Sequence, residues 1–252
     1  MHRGERSIAS RTDVVPLDAV RCLPHAARWF ATGRSLPELG QALIVAETLR
    51  RSAMGAARRL FGPDRLPAPL QSHADEGPAA GHLHPFWLCE DADDDGRIDH
   101  LLVYAPRALG SECQAALRLA QPLGGDGPLP RCRITLDWLG SARTPSTPGR
   151  LLAPHRRWIS HTPYLSPWHL RRSMDVVAAV RAECQVRDLP FPRVELVDTP
   201  PARFTLRRRN GAQPPAGVAP AWLRLDFTSA VAGPIALGWG CHFGLGLFRH
   251  AD

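Results

Sequence analysis

Helix-type and strand-type patterns follow one another twice along this chain. That double order predicts an α+β protein of two ferredoxin-like (RRM-like, βαββαβ) units packed side by side, with a glycine-rich loop near the C-terminus. Three observations carry the prediction. A capped stripe of apolar residues over 35–61 is followed by strand-like runs at 82–89, 98–104 and 131–139. A similar layout follows residue 155. Between them, the composition of 140–155 marks a linker, so the units divide as 1–145, including a lead-in segment, and 146–252.

In the first unit, Ser35 and Glu38 form an S-x-x-E capping box with Pro37 in the first turn. Leu39, Leu43, Ala46, Leu49, Ala53, Ala57 and Leu60 then recur at helical spacing until Gly62-Pro63 ends the helix. A Pro/Gly/Ser-rich loop covers 63–80, and an acidic turn from Glu90 to Arg97 joins the strands 82–89 and 98–104. A hairpin centred on Asp94 sets His84 opposite Tyr104 and Phe86 opposite Leu102. A helix over 111–122 and the alternating 131–139 follow, and a strand within 13–23 completes the unit. In the second unit a strand near Trp158–Thr162 precedes a helix capped by Ser166, with its stripe at Leu170, Met174, Val177, Ala178 and Cys184. Strands at 193–198, 203–208 and 222–228 lead to a last one entering the glycine-rich end. No sequence repeat links the halves; the duplication rests on pattern.

All 31 basic residues are arginine. With no lysine in the chain, a lysine nucleophile or Schiff base is excluded, and contacts to phosphate fall to arginine, histidine, hydroxyls or backbone amides. The charge is also uneven. Residues 150–210 hold twelve arginines against five acids, a surplus that equals the formal net charge of +7. Such a one-sided field favours a polyanionic partner. Arg156, Arg157, Arg171 and Arg172 belong to it, as does the triplet Arg207-Arg208-Arg209 at an Asn-Gly turn, which reads as a basic arm able to track a phosphate backbone. Six scattered cysteines show no metal spacing and read as reduced, buried thiols. No apolar run reaches the roughly 18 residues of a membrane span, and the polar, basic start lacks a signal sequence; a soluble, cytoplasmic protein is expected.

Three further segments could carry chemistry. In Gly81-His82-Leu83-His84-Pro85-Phe86-Trp87 two histidines share one strand face, and an imidazole there could deprotonate a ribose 2′-hydroxyl, a reaction that needs no metal or cofactor. Gly238, Gly240, Gly244 and Gly246, with His242 among them, form a loop whose backbone can approach another chain closely and offer amides to phosphate oxygens. The third, Asp91-Ala-Asp93-Asp-Asp95-Gly96, matches the first half of a calcium-binding loop, but Leu102 stands where the bidentate glutamate belongs. It reads first as a solvated turn; a calcium-dependent interaction protein is the alternative it would support.

Three stretches together resemble one family. Residues 81–106 (GHLHPFWLCEDADDDGRIDHLLVYAP), 158–172 (WISHTPYLSPWHLRR) and 233–248 (GPIALGWGCHFGLGLF) are similar to the C-terminal, repeat-cleaving half of the fused RAMP subunit of type I-G (formerly I-U) CRISPR systems. The resemblance spans roughly 35–252. It implies a metal-independent endoribonuclease that binds CRISPR repeat RNA and cuts it to mature guide RNA, leaving a 2′,3′-cyclic phosphate. It also implies an RNA contact by the glycine-rich loop, and association with other subunits of a type I effector complex. His84 is the implied general base, with His82 and His100 as competitors and Tyr104 beside it. Many relatives use an active-site lysine, so here an arginine must take that part. The alternative within the family is a RAMP subunit that holds RNA without cutting it.

Overall fold

The computed structural model describes residues 23–70, 84–120, 130–141, 147–167, 175–198 and 203–251, with the two-residue strands β2 (His73–Ala74) and β3 (Gly77–Pro78). The first unit runs β1 (Ala26–Thr32), a 3₁₀ turn (Leu39–Gln41), α1 (Ala42–Phe61), β2, β3, β4 (Phe86–Glu90), β5 (His100–Tyr104), α2 (Ser111–Arg118) and β6 (Arg133–Gly140). Its sheet has the antiparallel order β4-β5-β1-β6. The second runs β7 (His155–Ser160), α3 (Val176–Val186), β8 (Arg193–Leu196), β9 (Leu223–Val231), a 3₁₀ turn (Cys241–Phe243) and β10 (Phe248–His250), in the order β10-β7-β9-β8. Counted within each unit both sheets read 4-1-3-2, the ferredoxin-like arrangement. In the second unit the glycine-rich loop stands where the second helix of that pattern belongs.

The first core is built from β1 and the hairpin. Ala27, Trp29, Ala31, Trp87, Cys89, Leu101 and Val103 alternate onto the face that α1 and α2 cover. The opposite face of the same sheet, with Ala26, Phe86, Leu88 and Leu102, buries Leu151, Leu152, Ala236, Cys241 and Leu247 from the second half. The units therefore meet across that face, through the linker and the glycine-rich loop. Arg28 and Glu90 form an ion pair of 3.0 Å within this contact, Asp137 closes on Arg28 at 3.1 Å, and Glu90 accepts the Arg150 amide at 2.9 Å. Gly149 at φ +76° is required there, because a Cβ would sit 2.5 Å from the Glu90 carboxylate. The five described cysteines are buried thiols, and among the described residues no helix is long and apolar enough to cross a membrane.

Several sequence expectations are corrected. The first strand is Ala26–Thr32 rather than within 13–23, of which 13–22 lie outside the described residues. Ser35 does not cap α1. Residues 37–39 instead run as a ribbon against the acidic turn, with Ile98 donating to Pro37 and Leu39 to Gly96, so the capping box forms between Glu38 and Gln41. The hairpin register places Phe86 opposite Tyr104 and Leu88 opposite Leu102, so His84 is not the cross-strand neighbour of Tyr104. Asp91 accepts the amides of Asp95 and Gly96, which tucks the turn under and moves its centre to Asp95. A relative slip of two residues keeps every side chain on its face, so alternation alone cannot exclude it. Asp175, not Ser166, caps α3 by accepting the Ala178 amide at 2.7 Å. Leu170 and Met174 of the expected stripe lie outside the described residues. Residues 203–208 form no strand; they are a strap across the start of α1, with Thr205 donating to Gly40 and Phe204 and Leu206 packed near Leu43 and Leu245.

Candidate active site

A cavity of about 290 Å³ opens where α1, the start of β4, the strap and the glycine-rich loop converge, lined by Arg50, His84, Pro85, Trp87, Arg208, His242 and Phe243. Each group arrives by a different route. The chain enters β4 through His84-Pro85, and proline fixes that entry in an extended conformation. His242 sits in the 3₁₀ turn flanked by Gly240 (φ +75°) and Gly244 (φ +79°), left-handed positions that reverse the chain on either side. Its ring stacks on Phe86 at 4.2 Å and meets the His84 ring edge-on at 5.7 Å. Its Nδ1 lies 3.4 Å from the Pro85 carbonyl, which can only accept, so that nitrogen carries the proton.

The two arginines are held from α1. Glu47, 7% exposed, accepts Arg208 Nε at 2.7 Å and the Arg209 amide at 3.0 Å. The Arg208 guanidinium lies 4.0 Å over the Phe243 ring, a cation–π contact. Arg50, one turn beyond Glu47, faces the same cavity. Burial, then the charge of Arg208, lowers its pKa from the usual arginine value, although a guanidinium stays charged at neutral pH. The described lining thus presents two imidazoles and two guanidiniums and no carboxylate. Such a set can exchange protons and bind a phosphodiester between positive charges.

The loop that presents His242 is fixed by its own hydrogen bonds. Glu183 accepts the Gly238 amide at 2.7 Å and the Tyr164 hydroxyl at 2.7 Å, and pairs with Arg187 at 3.3 Å. The amides of Leu237, Trp239, Cys241, Phe243, Leu245, Gly246 and Leu247 also donate within the protein. These donors are engaged, and the loop they fix positions the His242 side chain in the cavity.

The sequence-selected residues fall into separate places. His84, Arg208 and His242 come together; His82, Arg171 and Arg172 lie outside the described residues. Tyr104 stands behind Phe86, with ring centroids 6.2 Å apart. His100 sits at the other end of the hairpin, bonded to Asp99 at 2.9 Å and packed on Phe30. Arg156 and Arg157 are on β7, where Arg157 faces Asp226 across the sheet, and neither lines the cavity. Arg207 is exposed on the strap. Asp91, Asp93 and Asp95 do cluster, but their carboxylates accept the turn's own amides. Arg50 and Glu47 were not singled out from sequence; a glutamate amid the apolar stripe of α1 was the available signal.

No family model and no curated protein matches the chain. Among solved structures, it is similar to one described as an RAMP protein binding different RNA substrates, with 8% identity and a TM-score of 0.41 over 90% of this chain and 98% of that one. It is also similar to Thermus thermophilus Cse3 bound to an RNA representing a pre-cleavage complex, with 13% identity and a TM-score of 0.38 over 92% of this chain and 100% of that one.

Proposed function

We propose that this protein is an RNA-binding endoribonuclease that cuts CRISPR repeat RNA without a metal ion, using His84 and His242. The observation that carries this reading is the approach of two imidazole rings to 5.7 Å in a cavity walled by Arg50 and Arg208. The substrate class comes from the resemblance of the three sequence stretches and from the basic surplus of residues 150–210. His84 takes the proton of a ribose 2′-hydroxyl, whose oxygen attacks the adjacent phosphorus. The bond to the 5′-oxygen breaks, and His242 protonates that leaving oxygen. The products are a 2′,3′-cyclic phosphate and a 5′-hydroxyl. The arginines stabilise the charge that builds on the non-bridging oxygens, the part lysine plays elsewhere. The Pro85 carbonyl beside His242 Nδ1 holds the N–H on that nitrogen and so orients the ring.

The test is cleavage of labelled repeat RNA in EDTA by wild type, His84→Ala and His242→Ala, with binding followed in parallel. Each substitution is expected to lower the rate by about 100-fold or more with affinity little changed. Wild-type binding with no cleavage would instead leave an RNA-holding subunit.

A further inference from the structure

A second cavity, of about 530 Å³, opens between the acidic turn of the first unit and the outer face of the second sheet. Phe204 and Trp222 meet there with ring centroids 5.6 Å apart at 65°, beside Ile159. Arg97, Arg203 and Arg249 surround them. Glu38, Asp91, Asp94 and Asp95 also line this cavity, but each carboxylate is already held: Glu38 by the Gln41 amide, Asp91 by the Asp95 and Gly96 amides, Asp94 by Arg150 and Arg249, Asp95 by the Arg97 amide. Arg97 is tied to the Leu36 carbonyl at 3.0 Å. Arg203 is exposed and makes no ion pair among the described residues. An aromatic pair with one uncommitted guanidinium at its rim is the chemistry that takes an unpaired base and its adjoining phosphate.

The strap joins this cavity to the first. Arg203 and Phe204 line the second and Arg208 the first, and five residues of chain span at most roughly 18 Å. A few nucleotides of single strand cover that distance. We propose that the second cavity is a subsite for an unpaired nucleobase of the same RNA strand, stacked on Trp222 and edge-on to Phe204, with Arg203 on its phosphate. This rests on the RNA-binding reading above and extends it to nucleotides away from the reacting phosphate.

The probe is a fluorescein-labelled 2′-O-methyl oligouridylate, which cannot be cut by 2′-hydroxyl attack and is long enough to span both cavities. Its affinity is measured for wild type, Arg203→Glu, Trp222→Leu and Arg208→Ala. Arg203→Glu and Trp222→Leu are each expected to weaken binding by about fivefold or more, because stacking on one base has that worth and reversing a charge at a phosphate replaces attraction with repulsion. In addition, the fluorescence quenching seen on binding to wild type should lose a component in Trp222→Leu. Arg203 is exposed, so its variant tests the subsite even if Trp222→Leu fails to fold. Wild-type affinity in Arg203→Glu, with Arg208→Ala weakened, overturns the subsite and leaves the first cavity standing. Weakening in Arg203→Glu but not in Arg208→Ala keeps the subsite and removes the first cavity's part in binding. No binding by wild type overturns both.

Discussion

Glu47 decides where the positive charge of the candidate site points. A carboxylate at 7% exposure is unfavourable in a helix face otherwise made of Leu43, Val45, Ala46 and Leu49, unless its oxygens are satisfied. Arg208 Nε and the Arg209 amide satisfy them, and in doing so they fix the strap on α1. Glu47→Gln replaces one acceptor with a donor that faces another donor. It is expected to cost about 1–3 kcal/mol of stability in denaturant unfolding and to weaken RNA binding, with Arg208→Ala losing about one unit of the salt slope of binding. Unchanged stability and affinity in Glu47→Gln would remove its positioning role. At this scale the sequence disclosed His84, Arg208 and His242 as chemistry-bearing residues, but not their meeting. They lie 124 and 34 positions apart along the chain (84 to 208, 208 to 242), and periodicity reports only neighbours on one element. Arg50 was hidden because an arginine on a helix reads as a solvated face.

The glycine-rich loop replaces a helix, and its backbone conformation is what makes that possible. Gly238, Gly240, Gly244 and Gly246 all have φ between +57° and +85°. Gly246 also lies against Leu237, where a Cβ would fall 1.8 Å from the carbonyl oxygen. Gly246→Ala combines a left-handed backbone with a steric clash, so a loss of about 2 kcal/mol or more is expected in equilibrium unfolding. A loss below about 0.5 kcal/mol, the range of neutral surface changes, would mean that the loop is not so constrained. The glycines themselves were legible as an unusual element, but the engagement of the loop amides was not. Half of those bonds stay inside the loop, and the other half run to Leu165, Pro163, Thr162 and Glu183, partners that no local pattern connects to residues 237–247. Likewise β1 was missed at 26–32 because Ala-Ala-Arg-Trp-Phe-Ala-Thr contains little β-branched sequence, while its alternation onto the core becomes evident only with α1 above it. The strap was read as a strand for the converse reason. Its alternation is real, but its amides bond singly to Gly40 and Ala212 rather than to a ladder.

At the scale of the whole molecule, the two units are tied by polar contacts that cross between them. His161 of the second unit accepts the Asp91 amide of the first at 3.2 Å while 4% exposed. Burial, and then the charges of Arg249 and Arg150, push its pKa down to about 3. The unfolded chain therefore binds a proton that the folded one refuses. Stability is full above about pH 6.5, the ordinary imidazole value. It falls as the pH drops from there toward 3, by about 1.4 kcal/mol per pH unit from this one group. His161→Gln is expected to flatten that slope in pH-dependent thermal melts; parallel profiles for the two proteins would contradict it. The 4-1-3-2 order of each sheet was legible as a duplicated pattern, and the division near residue 145 remains the proposed boundary. How the units meet was not legible, because the joining face uses Leu151, Leu152, Ala236, Cys241 and Leu247, which sequence alone assigns to a linker and a loop.

In the proposed reaction, two imidazoles in an arginine-walled cavity cut RNA through its own 2′-hydroxyl. Its most direct test is end-group analysis of the fragments released by wild type from repeat RNA in EDTA, beside the same RNA carrying 2′-deoxyribose throughout. A 2′,3′-cyclic phosphate and a 5′-hydroxyl are expected from the ribose substrate, and no cleavage of the deoxy one. A 3′-hydroxyl with a 5′-phosphate, cleavage of the deoxy strand, or no cleavage at all would contradict it.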